Sequence, residues 1–191
     1  MKRALLLLVI ASNAAAVELH VQFGALERML AESVFTQEGR RYVKGNKENK
    51  CNFAYLEKPQ VRGENGRLRM KARFSGRSTV NLAGLCVGMG DAFDVVILAL
   101  PIYKGGNVML QDVKVSSEGK TGFYIRKVCA AMEASLARDF KYPLERETQV
   151  LLENPTTQPN YKREVRKFDV RDIRVSNDSL VLHVDFELTV K

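Results

Sequence analysis

The 191-residue sequence has no tryptophan, two histidines, three cysteines and five prolines, and each scarcity removes something. His20 and His183 stand far apart, with no acidic or cysteine neighbours at ligand spacing, so the chain spells out no metal site. Catalytic signatures are absent too. No Gly-x-Ser-x-Gly elbow, His-Glu-x-x-His helix or Cys-His pattern occurs. Gly84, Gly88 and Gly90 lack the Lys-Ser/Thr pair and the following helix of a phosphate loop. The residues therefore point to a non-enzymatic protein with no catalytic residue. Nor does any apolar run reach the ~20 residues that a membrane-crossing helix needs.

What is present begins with an address. Met1-Lys2-Arg3 is basic, Ala4 to Ala11 is apolar and short, and Ala14-Ala15-Ala16 offers small residues for cleavage. Residues 1–16 read as a signal peptide, and 17–191 as a single domain large enough to bury its own core. The expected product is soluble, and periplasmic or secreted. No cysteine stands beside the cleavage site, so no lipid anchor is expected. Removing residues 1–16 takes two of the 30 basic residues and none of the 22 acidic ones, leaving 28 against 22. Outside the cytoplasm such an excess suits anionic lipid head groups better than nucleic acid, and it suits plain solubility equally.

Three cysteines in an oxidising compartment predict one disulfide and one free thiol. Cys86 and Cys129 form the candidate bridge, tying a loop to a helix. Cys51 fits either partner, and a simple buried thiol is the plainer reading of any of the three.

The chain is organised around Lys120 to Phe140. Ile125, Val128, Cys129, Met132, Leu136 and Phe140 recur every three or four residues and make one helical stripe. Ala130, Ala131, Ala134 and Ala137 flank it, so backbone is expected to approach from more than one side. Leu19, Phe23, Leu26, Met29, Leu30 and Val34 predict a short first helix, and Gly39 to Lys50 an exposed loop. From Cys51 the period becomes two, with a bulge or edge at Pro59 and a tight turn at Asn65-Gly66. Leu68, Met70, Ala72 and Phe74 then alternate with Arg67, Arg69, Lys71 and Arg73.

Ser75 to Asp91 reads as a glycine-rich loop, and Ala92 to Tyr103 as a strand buried on both faces. Gly105-Gly106 turns into a strand over 108–115 with a bulge near Gln111-Asp112. Pro143 to Tyr161 reads as a long connection holding a short strand at Val150 to Leu152. Strands over 165–175 and 180–190 pair around Asn177-Asp178. On the last, Leu180, Leu182, Val184, Phe186, Leu188 and Val190 face one way. The fold class is α+β, a strongly curved antiparallel sheet wrapped around one long helix.

The order of these elements, with the hairpin RGENGRLRMKARFSG, the strand pair DAFDVVILALPIYKGGNVMLQDVKVSSE, the helix CAAMEASLARDF and the closing strand DSLVLHVDFELTV, resembles the YceB-like periplasmic lipoproteins. That family is similar in fold to the tubular lipid-binding (TULIP) superfamily, which includes bactericidal permeability-increasing protein. The resemblance implies a TULIP-like half-barrel with a hydrophobic groove for acyl chains, and no catalytic residue. This chain lacks the family's lipid-modified cysteine, which favours a free carrier.

The resulting expectation is a lipid carrier that shelters a fatty acid or phospholipid, with no other cofactor. The lining residues are Met70, Phe74, Ile97, Leu98, Ile125, Cys129, Met132, Leu136, Leu182 and Phe186. Arg67, Arg69, Lys71 and Arg73 make transient contact with an anionic membrane surface. A homodimer is among the partners expected, and nucleic acid is not. The competing expectation is an envelope interaction module with a filled core that docks through the basic strand face.

Overall fold

The computed structural model describes residues 17–153 and 162–191. The signal-peptide expectation for residues 1–16 lies outside the described residues, as does the part of the expected connection that holds Pro155 and Pro159.

Alternation builds the main sheet outward from β4 (Arg67–Leu82), with Ala72 and Phe74 buried on one face and basic residues on the other. Asn65 and Gly66, at φ 51° and 73°, give the paired left-handed geometry that matches strand twist and join β3 (Asn52–Glu64) to β4. In β3, Lys58 and Pro59 stand opposite the single Ala72, a bulge that accommodates the proline's missing N–H. β5 (Leu85–Lys104) is buried at Phe93, Val95, Ile97 and Ala99 on the core face and at Val96 on the other. β6 (Asn107–Glu118) follows across Gly105-Gly106. It places Asp112 and Val113 opposite the single Ala99, so the expected bulge is present, with Asp112 at φ 49°.

With β2 (Arg40–Lys44) and β7 (Lys141–Tyr142) the antiparallel order is β2-β3-β4-β5-β6-β7. The sheet curves strongly into a half-barrel, and the fold is α+β with three helices. A second sheet, ordered β1-β9-β8, contains β1 (Val17–Gln22), β8 (Arg163–Val175) and β9 (Ser179–Val190). Among the described residues no helix is long and apolar enough to cross a membrane.

The core face of the six-stranded sheet is covered by two helices. α2 (Phe123–Asp139) presents Ile125, Cys129 and Met132, all buried, with Val128 and Leu136 beside them. α1 (Phe23–Ser33) and the residues after it bring Leu30, Val34 and Phe35 against Ala54 and Leu56. Phe74, Phe93 and Val95 are the largest fully buried side chains, and each such burial is worth about 1.5–3 kcal/mol. A smaller core of Val170, Leu182 and Val184 lies in the second sheet, packed with Phe168, Tyr103 and Leu144. The sheets meet at Gly63, where a Cβ would collide with the Ser176 carbonyl oxygen, so no larger residue fits.

Five expectations are corrected. Leu19 lies in β1, which pairs with β9 from Val17 opposite Val184, and the helix starts only at Phe23. The free edge of β9 outweighed a helical spacing shared by Leu19 and Phe23. Within the expected loop 39–50, β2 forms because Tyr42 lies opposite Tyr55 with ring centroids 5.4 Å apart. The supposed loop 75–91 is the extension of β4 and β5, paired residue for residue down to Leu82 opposite Leu85. Val150 to Leu152 belong to α3 (Leu144–Glu153), a helix with acidic residues in its first turn. The alanine flank of α2 is exposed, so no backbone among the described residues covers it.

The disulfide pairing is a further correction. Cys51 is bonded to Cys86 with Cα atoms 5.2 Å apart, and Cys129 is a buried free thiol. Cys86 occupies the outer face of β5 whereas Cys129 lies under the core face, so the sheet itself separates the pair that had been expected. The ladder from β3 to β5 instead brings Cys51 alongside.

Candidate functional site

Two open features of the surface combine geometry with chemistry. The first is a groove of about 520 Å³ between α2 and β6. Val113, Val115 and Cys129 line its inner part, and Ala130, Ala134 and Ala137 its helical wall. Asp112, Arg126 and Glu133 add charge. The groove exists because β7 pairs only with Val108 and Met109, leaving the rest of β6 as an edge. The Glu133 carboxylate accepts the Val115 N–H at 3.1 Å, satisfying one edge amide that has no neighbouring strand. Burial pushes the Cys129 thiol up, with Glu133 adding to the effect, so this sulfur stays protonated and inert.

The second feature is the outer face of the sheet, where charges alternate in sign across four strands. Arg62 contacts Glu64 at 3.2 Å, Glu64 contacts Arg69 at 3.1 Å, and Arg69 contacts Glu118 at 2.8 Å. Glu118 holds Lys71 at 2.6 Å, Lys71 reaches Asp94 at 3.4 Å, and Asp94 holds Arg73 at 3.0 Å. Arg67 donates to the Asp112 carbonyl at 3.1 Å and lies 3.7 Å from its carboxylate. Every cation of the basic row thus has an acidic partner, and its outward field is largely cancelled.

The ladder sets a pH response. The Lys71 ammonium that donates to Glu118 holds that carboxyl below its ordinary value, with Arg69 reinforcing it. Arg73 does the same for Asp94, and the bond to Glu118 raises Lys71. Depressed carboxylates stabilise the fold above their unfolded values of about 4, and that support is lost as pH falls through the folded ones. Thermal midpoints are therefore expected to decline from about pH 5 to about pH 3. Glu118→Gln should flatten that decline, while an unchanged slope would show that the ladder does not couple to folding.

The residues expected to line a lipid site divide into groups. Met70, Phe74, Ile97, Ile125, Cys129, Met132 and Leu136 come together in one cluster where sheet and α2 meet, packed against each other. Leu98 is on the opposite face of β5, across from Arg69. Leu182 belongs to the second core, and Phe186 is 36 % exposed on β9. Both sit in the second sheet, away from the α2 stripe. Of the groove itself only Cys129 was among the expected residues. The alanine flank was the available signal, since small residues on a helix mark where something can approach. Val113 and Val115 gave none.

Among the described residues no three His, Cys, Asp or Glu side chains gather as a metal site. No protein-family model matches the chain, and the comparison with curated proteins found no match.

Proposed function

We propose that this chain is a non-enzymatic, exported lipid-binding protein that lays an acyl chain in the groove between α2 and β6. The observation that carries the reading is the groove itself. Its volume of about 520 Å³ is in the range of small-molecule sites, and small or apolar side chains make up six of its nine lining residues, beside Asp112, Arg126 and Glu133. Each methylene moved from water into such a lining is worth ~0.8 kcal/mol, so binding needs no dedicated polar contact. The strongly curved antiparallel sheet with α2 on its core face is what supports a YceB-like, TULIP-like assignment. The Cys51–Cys86 bridge supports export to an oxidising, periplasmic or extracellular compartment.

The mutual packing of Met70, Phe74, Ile97, Ile125 and Met132 favours a second reading, an envelope interaction module whose interior is already full.

One pair of measurements separates the two. Native mass spectrometry of protein purified without detergent should show a copurifying lipid. Uptake of a fluorescent fatty acid should fall about tenfold or more in Ala134→Phe, whose ring fills the groove from an exposed helical position, with little change in thermal midpoint. No adduct and no uptake would remove the lipid reading and leave the interaction module.

A further inference from the structure

Beyond Arg77 and Asp91 the β4–β5 hairpin leaves the body of the protein, and residues 78–90 contain no charged side chain. Val80 lies opposite Val87, Leu82 opposite Leu85, and Ser78 opposite Met89. Directly opposed residues share a face, so five large apolar side chains stand together on one side of a two-stranded arm. They are between 53 and 70 % exposed. Their face continues the one that carries Phe74 and Phe93, but neither α1 nor α2 reaches far enough to cover it. On the other face the Cys51–Cys86 bridge and a hydrogen bond from the Thr79 hydroxyl to the Cys51 carbonyl fasten the arm to the chain preceding β3.

The base of the arm is basic. Phe53 opposite Arg77 and the bridge at Cys51 bring Arg77 and Lys50 there. From the core side, Lys120 bonds the Asp91 carboxylate at 2.6 Å and draws in the start of α2, where Phe123 is 70 % exposed under the Lys127 ammonium, 5.5 Å from its ring. Against these four cations stand Asp91, already engaged by Lys120, and Glu48.

We propose that this arm docks on the surface of an anionic phospholipid bilayer, its apolar face seated among the acyl chains just below the head groups and its basic collar against them. Charge selects this occupant. Two copies meeting face to face would set one collar against another, and an apolar protein groove would leave the collar unused. A bilayer interface supplies both an apolar layer and negative charge. The arm lies in the interface and does not cross it, because both edges of a two-stranded ribbon carry backbone groups that hydrocarbon cannot satisfy. This contact is separate from the ladder around Arg69 and Lys71 and does not rest on the α2–β6 groove.

The chain's lack of tryptophan supplies a clean probe. In Leu85→Trp, adding phosphatidylcholine–phosphatidylglycerol vesicles should shift the single indole's emission to the blue, and pure phosphatidylcholine should do so much less. Cosedimentation of the oxidised chain with the mixed vesicles should weaken about tenfold or more in the Leu82→Ser, Leu85→Ser double variant, and weaken with salt in the parent. Unchanged thermal midpoints, expected at such exposed sites, keep the comparison fair. Three results would each overturn the proposal. One is no shift and no cosedimentation. Another is binding that survives the serine variant but falls when Arg69 and Lys71 become glutamine. The third is a concentration-dependent dimer, seen by light scattering, that the serine variant abolishes.

Discussion

Phe93→Ala is expected to cost about 3–5 kcal/mol of folding stability and to lower the thermal midpoint by roughly 10 °C. The ring is 1 % exposed, and its centroid lies 4.9 Å from that of Phe74 on the neighbouring strand. Little nearby can move in to fill the space. Phe74 is itself 2 % exposed and lies over Gly76, where a Cβ would come within 2.7 Å of its ring. Side chains held this tightly leave a cavity when one is truncated, and the cavity adds to the lost transfer energy. Urea unfolding followed by circular dichroism checks the size. Leu85→Ala serves as the contrast, because a side chain 70 % exposed should change stability by no more than about 0.5 kcal/mol. Equal effects at the two positions would mean that the core is not centred where β4 and β5 pair beneath α2.

The second large effect is expected from the cross-link. Replacing Cys51 and Cys86 together by serine should cost roughly 2–4 kcal/mol, since the bridge closes a loop between positions 35 residues apart. Reduction of the parent protein should reproduce the loss, and the serine variant should then be indifferent to reductant. Alkylation distinguishes the thiols. In the folded oxidised protein only Cys129 is unbonded, and its burial should block modification until the chain is denatured. If the bridge proved reducible with no change in midpoint, the arm would be held by its strand pairing alone.

Local patterns made part of this fold legible. The strict alternation from Arg67 to Phe74, the Asn65-Gly66 turn and the three-four spacing from Ile125 to Leu136 each concern neighbours in sequence, and each appears where expected. The bulges at Pro59 and at Asp112 were readable for the same reason. Residues 75–91 were not, because glycine density signals irregular backbone, whereas here only Gly84 occupies the turn and the other three glycines lie in the strand ladder: Gly76 opposite Asp91, Gly88 opposite Thr79 and Gly90 opposite Arg77. The charge ladder was half visible. The cations stand in one row of sequence, but Glu118 comes 47 residues after Lys71, and only strand order brings them together. The candidate groove was missed because it depends on where β7 stops pairing with β6, a length that no single segment encodes. The alanines of α2 announced access to that helix without saying that the access would remain open.

The buried thiol of α2 has a bearing on how the protein is made. Three sulfhydryls in a newly made chain allow three ways to form one link, and only Cys51 with Cys86 agrees with the finished topology. Either link to Cys129 would fasten α2 to residues on the far side of the six-stranded sheet and prevent the helix from seating. Maturation therefore favours early closure of the arm's base, or an isomerase to undo errors, and the helix that completes the interior also removes the one competing sulfur from exchange.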